Sequence, residues 1–179
     1  MPRDLSLYRH LRAGGVIAYA TESCFGLGCD PMNRHAVQHI LRLKGRPQAK
    51  GLILIAADLA QLQPYLAPLP AGLDVAAYWP GPTTLLLPAS RRCPRWLTGK
   101  HQTIAVRITA HPDARQACQA AGMALVSTSA NRSGQRALRS AAACHALLGN
   151  EVRVLPGRVG TRRRPSTVLN PLSGRVIRQ

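Results

Sequence analysis

The 179 residues fall in the range of one domain, and a 46% hydrophobic content is enough for one sizeable core. No run approaches the roughly 18 uninterrupted apolar residues of a membrane span, and Met1–Arg12 has no apolar stretch behind its basic residues, so a cytoplasmic protein with no membrane partner is expected. The formal charge of +17, in which every basic residue except Lys44, Lys50 and Lys100 is an arginine, points to nucleotide or RNA as partner, although an arginine-rich surface that is merely solvated has the same composition.

In chain order, Leu5, Tyr8 and Leu11 sit at helical spacing within Asp4–Arg12, Gly14-Gly15 ends that helix, and Val16–Ala20 is an apolar strand. Thr21–Gly28 is polar and glycine-bearing and reads as a loop at a strand end, where sites tend to form. Ala36, Val37, Ile40, Leu41 and Leu43 share one helical stripe. That helix should stop at Lys44-Gly45-Arg46-Pro47, since glycine accepts the left-handed cap and proline cannot continue the ladder. Leu52–Ile55 reads as a buried strand, Asp58–Leu66 as a short helix stopped or kinked by Pro64, Leu73–Tyr78 as another, Trp79–Pro82 as a tight turn and Thr83–Leu87 as a strand. A strand over Ile104–Ile108, a helix over Asp113–Ala121, a strand over Ala124–Val126 and a polar loop over Ser127–Gly134 follow. Ala141–Leu148 is the last helix, and Val152–Leu155, Thr167–Leu169 and Val176-Ile177 are short strands around the basic loop Arg158–Arg164. This alternation implies an α/β fold, and no linker or repeat divides residues 1–179.

The usual advertisements of chemistry are missing. There is no GxxxxGK[ST] phosphate loop, and Gly26-Leu27-Gly28 lacks the third glycine of a dinucleotide fingerprint because Pro31 stands in its place. No HExxH or CxxC pair is present, and five cysteines without a paired pattern read as free thiols. No protein-bound metal is expected; any magnesium would arrive with a nucleotide. What remains is cations and hydroxyls. Lys44 and Arg46 can converge on a polyphosphate, or simply sit favourably at a helix C-terminus. Ser127–Gly134 can cradle a phosphate or ribose, or form an ordinary capped turn.

Taken together, the blocks Thr21-Glu22-Ser23-Cys24-Phe25-Gly26-Leu27-Gly28, Lys44-Gly45-Arg46-Pro47, Trp79-Pro80-Gly81-Pro82-Thr83-Thr84, Val106-Arg107 and Ser129-Ala130-Asn131-Arg132-Ser133-Gly134 resemble the YrdC family in order and spacing. The match extends to about Ser166-Thr167-Val168 and is nearest to the short bacterial members. The resemblance implies a single YrdC-like domain over 1–179, with a twisted mixed sheet and flanking helices around a positively charged concave cavity. It implies synthesis of threonylcarbamoyl-adenylate from L-threonine, bicarbonate and ATP, the first step of threonylcarbamoyladenosine formation at position 37 of tRNA. In that chemistry the threonine amine captures carbon dioxide from bicarbonate, the carbamate attacks the α-phosphorus, and pyrophosphate leaves.

By the same resemblance, Arg46, Lys50, Thr103, Ser129, Asn131 and Arg178 hold ATP, and Ser23, Arg107, Ser127 and Ser166 contact threonine. Lys44 and Arg46 are the expected electrostatic stabilisers. Downstream threonylcarbamoyl-transfer proteins are implied partners, with tRNA or double-stranded RNA as a further one. Two positions depart from the commoner family form: Ser23-Cys24-Phe25 replaces a Thr-hydrophobic-Tyr pattern, and Ile55 stands where longer members often carry histidine. Longer members also have a C-terminal domain without counterpart in this sequence, so a more open nucleotide site is expected. Three other readings stay open: a non-catalytic RNA-binding module, a relative of the hydrogenase-maturation proteins, and a YrdC-like paralogue with a different acceptor. The few aromatic residues argue against single-strand stacking. The hydrogenase-maturation proteins are larger and carry zinc-finger cysteine pairs.

Overall fold

Asp4 starts the fold: its carboxylate accepts from the backbone N–H groups of Ser6 at 2.9 Å and Leu7 at 3.2 Å, satisfying two orphan donors of α1 (Leu5–Arg12). In the computed structural model, which describes residues 4–179, α1 buries Leu7 and Leu11. Asn33 caps α2 (Arg34–Lys44) through Ala36 N, and Gly45, at φ 57°, ends it in the left-handed conformation expected from the Lys44-Gly45 pair. The other helices are α3 (Arg95–Thr98), α4 (Pro112–Ala121) and α5 (Ala141–Leu148).

Among the described residues nine strands form one mixed sheet: β1 (Ile17–Ala20), β2 (Phe25–Gly28), β3 (Ile53–Ala56), β4 (Thr83–Pro88), β5 (Thr103–Ile108), β6 (Leu125–Ser129), β7 (Arg153–Val154), β8 (Thr167–Asn170) and β9 (Arg175–Arg178). Their spatial order is β7-β1-β2-β6-β3-β5-β4-β8-β9. The pairs β1/β7, β3/β5 and β4/β8 are parallel, and the rest are antiparallel.

Alternation along each strand sorts residues onto two faces. Ala18, Leu27, Leu54, Leu85, Val106 and Val126 point to the first face and pack with Val37 and Ile40 of α2 and Cys144 and Leu148 of α5. Ile17, Tyr19, Ile55 and Leu125 point to the second, where α1 and α4 cover them. Toward β5 and β4 that second face carries Thr103, Ala105, Arg107 and Thr84 beside a half-buried Leu86, because Arg107 stands beside Ile55 and Ala105 beside Ile53 and Leu86. This register puts a polar bay next to a sealed core.

Most expected elements form, with instructive exceptions. Phe25–Gly28 is a strand, not a loop, and pairs with β1 as a hairpin. Its glycines make room for the Tyr19 ring: a Cβ on Gly28 would lie 2.8 Å from Tyr19 Cε1 and 2.9 Å from the Val126 carbonyl oxygen. The backbone oxygen cannot retreat without breaking the sheet. Gly28→Ala should therefore destabilise the fold by about 1–3 kcal/mol, the usual range for overpacking, and lower the urea midpoint at unchanged slope.

Ser127–Ser129 likewise belong to β6, and only the residues beyond are loop. Asp58–Leu66 holds just one turn of 3-10 helix, Gln63–Tyr65, because Pro64 has no N–H and the Gln61 side chain bonds Ala57 N and Cys118 O instead of staying in a helix. Leu73–Tyr78 is turns, with the Asp74 carboxylate accepting from Ala76 N at 2.9 Å. The one-turn α3 has no counterpart among the expected elements. All five cysteines are free.

Candidate active site

Arg107 anchors the bay from β5. Its Nη1 donates to Glu22 Oε2 at 2.8 Å, and the other carboxylate oxygen accepts from Thr109 Oγ1 at 2.9 Å. The pair is nearly closed to solvent, at 8% and 16% side-chain exposure. Burial alone would raise the Glu22 pKa; the Arg107 charge and the hydrogen bonds to the carboxylate outweigh it and hold it below the ordinary value. Arg107 Nε is buried without a hydrogen-bond partner, and so is Arg46 Nε. Two buried guanidinium donors left unpaired are costly in a folded protein unless an acceptor arrives from outside.

Arg46 extends from the residue after the α2 cap, and its Nη2 donates to Gly51 O at 3.0 Å. Lys44 is placed differently. Its ammonium is buried and directed at Ser129 O at 2.5 Å, Asn131 O at 2.8 Å and Asn131 Oδ1 at 3.4 Å. An ammonium has three protons, so those contacts use its whole donor set. Burial, then Arg46, pushes its pKa down to about 8. The charges of Lys44 and Arg46 lie close enough to interact; Arg46 keeps a free donor, while Lys44 ties the end of β6 to α2. Asn131 is committed as well, its Nδ2 donating to the carbonyls of Arg132 at 2.9 Å and Gln135 at 2.6 Å.

Ser127 accepts from the Tyr19 hydroxyl at 2.8 Å, and desolvation by burial raises the Tyr19 pKa well above its ordinary value. Ser129 lies on the same face two residues on. On the far side Ser166 Oγ accepts from Thr84 Oγ1 at 2.9 Å, and Arg178 Nη2 reaches Ser166 O at 2.9 Å and Oγ at 3.2 Å. Partial burial lowers the Arg178 pKa, as do the nearby charges of Arg107 and Arg46. Thr103 is four residues from Arg107 on β5, about 13 Å along the strand, a separation suited to two ends of an extended ligand. Lys50 is exposed on the short turn Gln48–Lys50. Ser23 lies on the turn between β1 and β2 beside Glu22.

The basic loop is an ordered strap along this turn. Gly160 N donates to Thr21 O, Arg162 N to Glu22 O, and Arg139 Nη1 to Ser23 O. Gly160 passes so close that a Cβ there would lie 2.8 Å from Glu22 O. A separate cleft of about 300 Å3 between α2 and α5 is lined by His39, Arg42, Asn131, Arg132 and Glu151 among others. It offers no hydroxyl group and lies on the first face. Among the described residues no cluster of three or more His, Cys, Asp or Glu could hold a metal ion, and no helix is long and apolar enough to cross a membrane.

Residues 9–179 match the Sua5/YciO/YrdC family model, described as telomere recombination. The chain belongs to the Sua5/YciO/YrdC family. Among members of this family, the threonylcarbamoyl-AMP synthase of Methylobacillus flagellatus is 53% identical over 178 residues, covering 98% of this chain and 99% of that protein. That of Chromobacterium violaceum is 54% identical over 172 residues, covering 95% and 89%. The crystal structure of P. abyssi Sua5 complexed with L-threonine superposes with a TM-score of 0.81 at 32% identity, over 91% of this chain and 49% of that one. The Sua5/YciO/YrdC chain described here therefore spans about half the length of that Sua5.

Of the expected site residues, Arg107, Ser127 and Ser129 share one sheet face, and Ser166 joins Arg178 to Thr84; Thr109, Thr84, Tyr19 and Arg139, which bond to these residues or to their neighbours, were not expected. Thr109 and Thr84 carry no local signal, since a threonine in or after a strand is ordinary. Tyr19 reads as core until the glycines opposite it are paired with it.

Proposed function

We propose that this chain is an L-threonylcarbamoyladenylate synthase, acting as one YrdC-like domain over residues 1–179. It joins L-threonine, bicarbonate and magnesium-bound ATP into threonylcarbamoyl-AMP and pyrophosphate. The observation that carries this reading is the pair of buried, partnerless guanidinium donors, Arg46 Nε and Arg107 Nε, in a bay with Arg178 and the Ser127, Ser129 and Ser166 hydroxyls. Anionic groups at both ends of a ligand would satisfy them: the amino-acid carboxylate at Arg107, the triphosphate at Arg46. Relatives named for this activity that match nearly end to end support the same assignment.

The reaction asks little of the protein in covalent terms. The threonine nitrogen and bicarbonate give a carbamate, with loss of water and a proton. A carbamate oxygen bonds to the α-phosphorus as the bond to the bridging oxygen of pyrophosphate breaks. Charge accumulates on the leaving pyrophosphate, so a fixed cation there acts more strongly in the transition state than before it. Arg46 fills that role, with Arg178, Lys50 and Thr103 holding the nucleotide. Lys44 acts through Ser129 and Asn131, fixing the loop that meets the phosphates. Ser23, Ser127 and Ser166 line the threonine end beside Arg107. Magnesium comes with the nucleotide. Transfer to adenosine 37 of tRNA falls to downstream proteins in the cytoplasm.

The test is pyrophosphate release from magnesium-ATP with bicarbonate and each amino acid in turn. Release that requires both bicarbonate and threonine is the expected result. Release independent of the amino acid, or driven by a different acceptor, would replace this reading with a paralogue of altered substrate.

A further inference from the structure

Glu22 is the acidic group in a bay dominated by arginine. The sequence holds 7 acidic residues, and the other six are committed elsewhere. Asp4, Asp58 and Asp74 accept backbone N–H groups in caps and turns, Asp30 pairs with Arg12, Asp113 accepts Arg158 N, and Glu151 pairs with His39. Glu22 alone stands against Arg107.

Its placement is rigidly defined. Arg107 and Thr109 take one lone pair on each carboxylate oxygen, and the strap fixes the Glu22 backbone through Arg162 N. Each oxygen keeps further acceptor capacity. The carboxylate retains 16% exposure, and Arg107 keeps a buried Nε free. A fixed anion and a fixed cation side by side, each with one unused edge, complement a ligand with the opposite charges on adjacent carbons. An α-amino acid zwitterion has that pattern.

We propose that Glu22 receives the α-ammonium of the amino-acid substrate while Arg107 receives its carboxylate, making Glu22 a specificity-determining residue of the threonine site. This rests on the synthase reading. The physical need is plain: Arg46, Arg107 and Arg178 together repel an ammonium, and an ionised carboxylate beside Arg107 offsets them. The same contact holds the nitrogen that becomes the carbamate nitrogen, so the group that selects amino acids also positions the reacting atom.

The experiment is calorimetric binding of L-threonine and of 2,3-dihydroxybutanoate, its analogue with hydroxyl in place of the amino group, with bicarbonate left out so that no chemistry follows. Wild type, Glu22→Gln and Glu22→Asp are compared. Wild type should prefer threonine by about tenfold or more, the worth of one charge-assisted hydrogen bond, and Glu22→Gln should lose that preference by weakening threonine while changing the analogue less than about twofold. Glu22→Asp, which keeps the charge on a shorter arm, should retain part of the preference. Equal weakening of both ligands by Glu22→Gln would overturn the proposal, since Glu22 would then only aim Arg107. Equal binding of both ligands by wild type would overturn it without recourse to any variant. Binding of neither ligand by wild type would remove the synthase reading as well.

Discussion

Arg46→Ala is expected to slow threonine-dependent pyrophosphate release by about 100-fold to 1,000-fold, the loss usual when one preorganised donor to a developing charge is removed. The effect should fall on kcat. Arg46 is directed at the phosphates in this account, and the charge it meets grows as pyrophosphate departs, so the interaction strengthens along the reaction path. The threonine KM should stay within about twofold, because Arg107 and Glu22 are untouched. Stability should change little: the one hydrogen bond lost, Arg46 Nη2 to Gly51 O, is a side-chain contact at a partly exposed position. Arg46→Lys should recover only part of the rate, since a point charge lacks the fork that places Nε and Nη2 at once. Near-normal kcat in purified Arg46→Ala would remove Arg46 from the reaction.

Arg107→Ala should have two separable consequences. The threonine KM rises by about 100-fold or more as the carboxylate loses its partner, since hydrogen bonds to charged groups are worth about 1.5–3 kcal/mol each and a guanidinium edge makes two. The fold weakens by about 3–5 kcal/mol, because Glu22 is left ionised and mostly buried without its counter-charge. The double variant Glu22→Gln with Arg107→Ala tells the effects apart. It should regain much of the urea midpoint, the stranded charge being gone, yet keep the high threonine KM. A double variant no more stable than Arg107→Ala alone would mean that Glu22 is not the source of the destabilisation.

The skeleton of this fold was legible because its signals are local. Gly45 after Lys44 ends α2 as a left-handed glycine, where it was expected. The apolar runs around Ile17, Leu54, Leu85 and Val106 mark the central strands. Phe25–Gly28 was hidden because its glycines look like loop residues, and only the Tyr19 ring across the hairpin explains them. Asp58–Leu66 read as a short helix interrupted at Pro64, but the Gln61 amide found partners at Ala57 and Cys118 that no local pattern announces. At the site, spacing grouped Lys44 with Arg46, and their charges do interact, but the hydrogen bonds of Lys44 go to the carbonyls of Ser129 and Asn131 while Arg46 bonds Gly51 and keeps a free donor. Glu22 sat within the same sequence block as Ser23, yet its meaning depends on Arg107, 85 residues away.

The most direct measurement is the mass spectrum of the adenylate formed from L-threonine, magnesium-ATP and carbon-13 bicarbonate. Threonylcarbamoyl-AMP carrying the labelled carbon should accumulate with an equal amount of pyrophosphate. Unlabelled threonyl-adenylate, or ATP turned over to ADP and phosphate, would contradict the synthase reading.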